Sequence, residues 1–372
     1  MIAYYVQECR RVLSRRYTCC ILLTMLAFLL LHLPYYHLQA NSYMQKERNQ
    51  AYADAYLLYS SLQNAIQENT ESAQTFYQKE YEDYYVLMQL YESKDYAERL
   101  DQKLQLQHDI YTREINWLKG EQGFPLTYTL QEREHQAVLT TYMLEHDVLP
   151  YATPYENKTA NFFYQFLQSN VSLLIFFLIA VSIVPMIVCR DFEEDVYKHI
   201  YTAAIPRERV LFAKLLVAIT VIAAFVLITF GTLTLITWLL YGHGSLAYPY
   251  LMENGTLISA DSYLISSISL YLFTLLFLIV LMFLLSCLCR KQVDTCIYFG
   301  LLMALLYICM EYQMFGKLQA WIPCFYIQGN RILSNEMGLS VTQAVLRCSY
   351  YSAALLLGLC VYFHRIDIRK ES

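Results

Sequence analysis

The sequence predicts an all-α membrane protein, with six transmembrane helices and a large helical extracytoplasmic insertion between the first and the second. Three observations predict it. Of 372 residues, 57% are hydrophobic and only 16% charged, against about 25% charged in an ordinary soluble domain. Six stretches, near 17–38, 171–189, 211–240, 264–289, 295–312 and 347–364, approach or exceed the roughly 20 apolar residues that a span requires. Lys and Arg mark every second connection. Arg10, Arg11, Arg15 and Arg16 precede the first stretch; Arg190, Lys198, Arg207, Arg209 and Lys214 lie between the second and third. Arg290 and Lys291 lie between the fourth and fifth, and Arg365, Arg369 and Lys370 follow the sixth. Basic residues beside spans mark the cytoplasmic side, so both termini are expected there.

In chain order, residues 1–38 hold an N-terminal amphipathic helix and the first span. Ile2, Tyr5, Val6, Cys9 and Leu13 recur at helical spacing ahead of the arginines, which fits an interfacial helix or an extension of the span. His32, Tyr35, Tyr36 and His37 supply a polar-aromatic rim, and no small-x-small cleavage site follows, so the segment reads as a span and not a removed signal.

Residues 39–170 form the insertion. From Ala40 to Asn170 there are 19 Asp/Glu and 10 Lys/Arg, an acidic balance that speaks against nucleic acid. Helical spacing recurs in Tyr52, Tyr56, Tyr59 and Ile66, in Tyr77, Tyr81, Tyr84, Met88 and Tyr91, and in Leu100, Leu104, Tyr111 and Ile115. These tyrosines read either as a ligand- or lipid-facing aromatic surface or, the expectation here, as taking leucine's place in a helical bundle with shallow cores. Breaks are expected at 68–72 and 92–95. Thr129 with Glu132 offers a capping box for a helix reaching about Glu145, before Pro150 and Pro154 end it. His108, His135 and His146 lack metal-ligand spacing and read as surface residues.

Residues 171–372 carry spans two to six. Pro185 lies near the inner end of the second, and Gly242, Gly244, Pro249 and Gly255 make a short outer loop after the third. Trp321, Pro323, Phe325 and Tyr326 suggest a partly re-entrant or interfacial element at the outer leaflet, or an ordinary loop, after the fifth. None of the eleven cysteines falls between Ala40 and Asn170. Cys287-Leu-Cys289 lacks the spacing of a zinc site, so the cysteines are expected to act as small apolar residues.

The stretch 190–214 is more charged than topology needs. It opens with Asp191, Glu193, Glu194 and Asp195, continues through an apolar helical face with Val196 and Ile200, turns at Pro206, then offers Arg207, Arg209 and Lys214. Acids at a helix start are favoured by its dipole. The stretch reads as a short docking helix on the membrane surface, with Glu193, Glu194, Asp195, Arg207, Arg209 and Lys214 as the contact residues.

It resembles the cytoplasmic connection between spans two and three of ABC-2 type transporter permeases. Glu193 and Glu194 match the acidic part, and Arg207 and Lys214 match an Arg seven residues before a Lys at the start of span three. The chain departs from the family where Asp195-Val196 replaces Gly-Thr and where Pro206 directly precedes Arg207. The resemblance implies the membrane subunit of a bacterial ABC exporter in the plasma membrane. It would pair as a homodimer or heterodimer with a second permease and be driven by a separate ATP-binding subunit that carries the ATP and Mg. The chain itself would need no cofactor and no ATPase site. No Gly-x-x-x-x-Gly-Lys-Ser/Thr phosphate loop occurs in it. Apolar, aromatic spans without central charge point to a hydrophobic or amphipathic substrate and away from an ion-coupled carrier. The alternatives are a non-transporting receptor or scaffold, and an ABC-type mechanical transducer acting through the tyrosine-rich domain.

Overall fold

The computed structural model describes residues 2–120, 124–194, 207–252 and 255–365, the side chains of Arg207, Lys317 and residues 362–365 excepted. The chain is mostly helical: α1 (Ile2–Leu13), α2 (Arg16–Gln67), α3 (Glu71–Glu92), α4 (Leu100–Lys119), α5 (Leu130–Glu145), α6 (Thr159–Gln168), α7 (Asn170–Val181), α8 (Ile183–Glu193), α9 (Arg207–Tyr241), α10 (Ala260–Cys289), α11 (Gln292–Glu311), α12 (Gly329–Leu333) and α13 (Val341–Arg365). Among the described residues, six stretches are long and apolar enough to cross a membrane: Arg16–Gln67, Asn170–Glu193, Glu208–Tyr241, Ala260–Cys289, Gln292–Glu311 and Val341–Val361. They make this a multi-pass membrane protein.

The described residues are not all helical. Pro249–Leu251 (β1) pairs antiparallel with Leu257–Ser259 (β2), within the stretch expected to be a plain loop. Gly255 takes a φ of 79°, where a side chain is strained, and a Cβ there would collide with the His135 ring.

The chain forms two compact units. One comprises Met1–His32, Phe163–Leu240 and Tyr263–Ser372; the other comprises Leu33–Phe162 and Tyr241–Ser262.

In the first unit, apolar residues pack the spans. Phe166, Phe176 and Phe230 meet edge to face, with centroids 5.4–6.1 Å apart. Several hydroxyls buried in the spans are satisfied within their own helix. The hydroxyls of Thr229, Thr274 and Ser286 donate to the carbonyls of Phe225, Leu270 and Met282 one turn earlier, at 2.6–2.9 Å. A spanning helix has no water to offer them. Helices α7 and α8 belong to one span, broken at Ser182. Pro185 has no N–H for the carbonyl four residues before it, and the Ser182 hydroxyl bonds the Ile179 carbonyl at 2.7 Å.

Pro323–Ile327 is a 3₁₀ turn with all five residues buried, packed against α11 and α13. Trp321 alone stays out, 55% exposed, with the Arg347 guanidinium 4.0 Å above its ring.

In the second unit, α3, α4, α5 and the later part of α2 surround a core that includes Leu58, Tyr84, Leu87, Tyr91 and Ile110. Phe76 and Trp117 stack at 3.9 Å. The breaks fall as expected, between Gln67 and Glu71 and after Glu92. The expected capping box forms: Glu132 N–H donates to Thr129 Oγ1 at 3.2 Å, and Thr129 N–H to Glu132 Oε2 at 2.8 Å.

The tyrosine stripe of α2 behaves differently from expectation. Tyr52, Tyr56 and Tyr59 are 44%, 73% and 46% exposed, while Ala51, Ala55, Leu58 and Ala65 are buried. The small residues let α3 approach, and its own Tyr84 and Tyr91 fill the interior. Large on one helix thus meets small on the other, and the α2 phenols, which tolerate water, face out. The amphipathic α6 falls where the sequence shows only the chain returning towards the membrane.

Candidate functional site

The helices flanking the charged stretch between α8 and α9 are tied together by buried charge. Asp191, near the end of α8, is 3% exposed, and Lys214, two turns into α9, is 4% exposed. The Lys214 ammonium contacts the Asp191 carboxylate directly and also donates to the Ile187 carbonyl at 3.2 Å. From α1, the Arg11 guanidinium bonds Asp191 Oδ1 at 3.0 Å and Glu8 Oε2 at 3.1 Å. Glu8 is itself 4% exposed; burial pushes its carboxyl up, while Lys214 and Arg11 pull it down.

Two anions and two cations thus close a neutral box that joins α1, α8 and α9. Charges removed from water are tolerated only in such mutual pairing. Helix α1 is a separate helix, divided from α2 at Ser14 and Arg15, and its packed face is Glu8 and Val12. Ile2 and Leu13 of its apolar stripe are 81% and 50% exposed. Tyr5 adds a hydroxyl bond of 2.9 Å to Thr220 on α9.

The six residues singled out from the sequence separate into three groups. Glu193 and Glu194 are exposed at the end of α8. Glu193 Oε1 accepts the Gln292 backbone N–H at 2.7 Å, which puts an anion on the first turn of α11, where a helix dipole favours it. Glu194 pairs with Arg190 one turn back. Arg209 is exposed on the first turn of α9. Lys214 is not a surface contact: it faces inward to Asp191, because a side chain two turns into a packed helix has Ile187 and Asp191 for neighbours and no solvent. Asp195 lies outside the described residues, as do the apolar docking face at Val196 and Ile200 and the turn at Pro206. Arg207 starts α9, with its side chain likewise outside them.

Glu8 and Arg11 were not legible as functional residues from the sequence. Their spacing of three is a common helical ion pair, and nothing local reveals that Asp191, 180 positions from Arg11, completes it. Among the described residues no group of three His, Cys, Asp or Glu side chains could hold a metal ion. The ionic box lies beside an exposed charged surface made of Glu193, Glu194 and Arg209.

No curated protein and no solved structure matches this chain. Residues 134–370 match the family model described as "Protein of unknown function (DUF2705)", which takes in the candidate site from α8 onward, and by a match over more than half its length the chain belongs to that family.

Proposed function

We propose that this chain is the membrane-spanning permease subunit of a bacterial ABC exporter, moving a hydrophobic or amphipathic substrate outward with ATP hydrolysed by a separate subunit. The observation that carries the reading is the buried box of Glu8, Arg11, Asp191 and Lys214 beside exposed Glu193, Glu194 and Arg209. A partner pressing on that charged surface meets a joint that cannot yield locally, because opening it would expose unpaired buried charge. The push therefore passes into α8, α9 and α1 together. In this reading the charge pattern of the connections puts the box on the cytoplasmic side and residues 39–170 outside the plasma membrane. The energy comes from the partner, and a second permease completes the pathway.

The mechanical-transducer reading draws on a different observation. Helix α2 has apolar residues at its start and, beyond Pro34, the exposed tyrosine face towards its end.

The test is purification of the chain from mildly solubilised membranes, wild type beside a Glu193→Lys, Glu194→Lys, Arg209→Glu variant. The expected result is an ATP-binding subunit that accompanies the wild type and is reduced at least about tenfold in the variant, as when several interface charges are reversed together. Equal recovery in both would remove the docking role. A chain that purifies without any ATP-binding subunit would remove the permease reading.

A further inference from the structure

Within the spanning unit, α7, α9 and α10 leave a cleft of about 260 Å³ between them. An apolar cavity of roughly 150 Å³ already stays dry and admits benzene, so this one has room for a stretch of hydrocarbon chain. Leu173, Phe176 and Phe177 of α7 form its floor and are buried. Leu227 of α9 and Ile268 and Leu272 of α10 form its mouth: they line the cleft and are also exposed. The mouth therefore opens on the outside of the helices, on the side that spanning segments turn to lipid.

The lining decides what enters. Among its side chains Tyr271 carries the one hydroxyl, and that hydroxyl already donates to the Leu167 carbonyl at 3.0 Å. The other lining side chains are Leu, Ile, Val and Phe, which offer no hydrogen bond to an ion, a sugar or a water molecule. A water in such a space needs about two to four polar partners. Left empty, the cleft forfeits the contacts of every atom on its wall. Hydrocarbon is the filler that gains by entering.

A second copy of the chain fits the mouth poorly. Spanning helices associate through small residues that let their backbones approach, and here the mouth is built of Leu227, Ile268 and Leu272. A thin, flexible alkyl chain passes between such side chains where a helix does not. The depth fits a membrane lipid. The floor residues lie in the first third of the span Asn170–Glu193, with Leu173 about 4.5 Å along the helix from Asn170 at 1.5 Å per residue. Polar Ser169 and Asn170 mark that end of the span. An amphiphile whose headgroup stays at the membrane surface thus reaches the floor with the part of its chain nearest the headgroup.

We propose that this cleft binds one acyl chain of a bilayer phospholipid, which enters between Leu227 of α9 and Leu272 of α10 and lies against the Phe176 and Phe177 rings. The site is independent of the permease reading and stands or falls without it.

The test uses the full-length protein in phospholipid vesicles that contain a trace of phosphatidylcholine with a photoactivatable diazirine in one acyl chain. Adducts are mapped by mass spectrometry on the wild type, on Leu227→Trp and Leu272→Trp, which add bulk at the exposed mouth, and on the control Leu235→Trp, exposed on α9 outside the cleft. Exposed Leu301 on α11 reports ordinary contact with the bilayer. A thermal unfolding curve checks that each variant folds; either mouth variant suffices, and the wild-type map carries the test if neither folds. The expected result is adducts on buried Phe176 and Phe177 in wild type and control, reduced severalfold in the mouth variants while Leu301 is labelled as before. Labelling of Leu301 without Phe176 or Phe177 in the wild type, whether a second copy covers the mouth or the cleft is closed, would overturn the proposal. Undiminished labelling of Phe176 and Phe177 in the folded mouth variants would overturn it as well.

Discussion

Asp191→Ala should be the most damaging single substitution in the spanning unit. It leaves the Lys214 ammonium, 4% exposed, and half-buried Arg11 without their shared partner. Breaking a buried pair from one side costs about 3–5 kcal/mol, a large share of the 5–15 kcal/mol that holds a typical domain together. We expect a steep loss of folded protein in the membrane fraction and a lower unfolding temperature in detergent. Removing both charges, as in Asp191→Leu with Lys214→Met, should recover much of the loss, since a well-packed apolar pair avoids the desolvation cost altogether. If the pair is the mechanical joint, that repaired double variant should fold yet respond poorly to its ATP-binding partner, which separates stability from coupling. A single Asp191→Ala protein as stable as wild type would show that the box carries no load. Arg11→Ala should be milder, because the Arg11 side chain is 31% exposed and water can replace part of what it loses.

The second large effect is expected in the helical unit at Arg133. This residue is 2% exposed and joins Glu114, Gln136, Tyr84 and the Tyr128 ring. Arg133→Met fills similar space but leaves Glu114, fully buried, with the Tyr84 hydroxyl as its remaining hydrogen-bond donor. The loss of its bonds to Gln136 and Tyr84 and of its pairing with Glu114 is read as faster hydrogen exchange along α4 and α5 in the full-length protein.

The same residues give the unit a pH dependence. Burial pushes Glu80 up to about 7 and Glu114 up to about 8, against the pull of Arg113 and Arg133. A carboxyl raised in the folded state holds its proton there more tightly than in the unfolded chain. Its contribution is therefore fully present below the ordinary carboxylate range and is lost as pH rises through 7 to 8. Lys103, lowered by burial to about 8, acts in the opposite sense: its contribution is present above the ordinary lysine range and lost as pH falls through about 8. Exchange protection in α3 and α4 should therefore decline from pH 5 to pH 8. Protection that rises over that interval would contradict the assignment of Glu80 and Glu114.

Much of the spanning architecture was legible because hydropathy and charge are local signals. The runs around 171–189, 211–240 and 264–289 correspond to α7 with α8, α9 and α10. Thr129 and Glu132 announced their helix start because a capping box lies within four residues. What escaped was whatever depends on distant partners. Tyr52, Tyr56 and Tyr59 have the spacing of a buried stripe, yet Ala51, Ala55 and Leu58 have it too, and only the bulk of Tyr84 and Tyr91 on α3 decides which face turns inward. The β1–β2 hairpin consists of two three-residue strands, too short for alternation to show. The sequence presents Lys214 as a docking contact at the start of the third span; its inward pairing depends on Asp191 on the other side of the charged stretch.

The central claim is that the ends of α8 and α9 form the surface a cytoplasmic ATP-binding partner presses on. The most direct measurement is site-directed crosslinking in native membranes from Arg209→Cys, a position exposed on the first turn of α9, with a short thiol crosslinker and the unsubstituted chain as background. The account predicts a specific adduct with an ATP-binding subunit, formed only when reagent reaches the cytoplasmic face and changed in yield by ATP. An Arg209→Cys thiol that reacts with impermeant reagent in intact cells and forms no such adduct would contradict it.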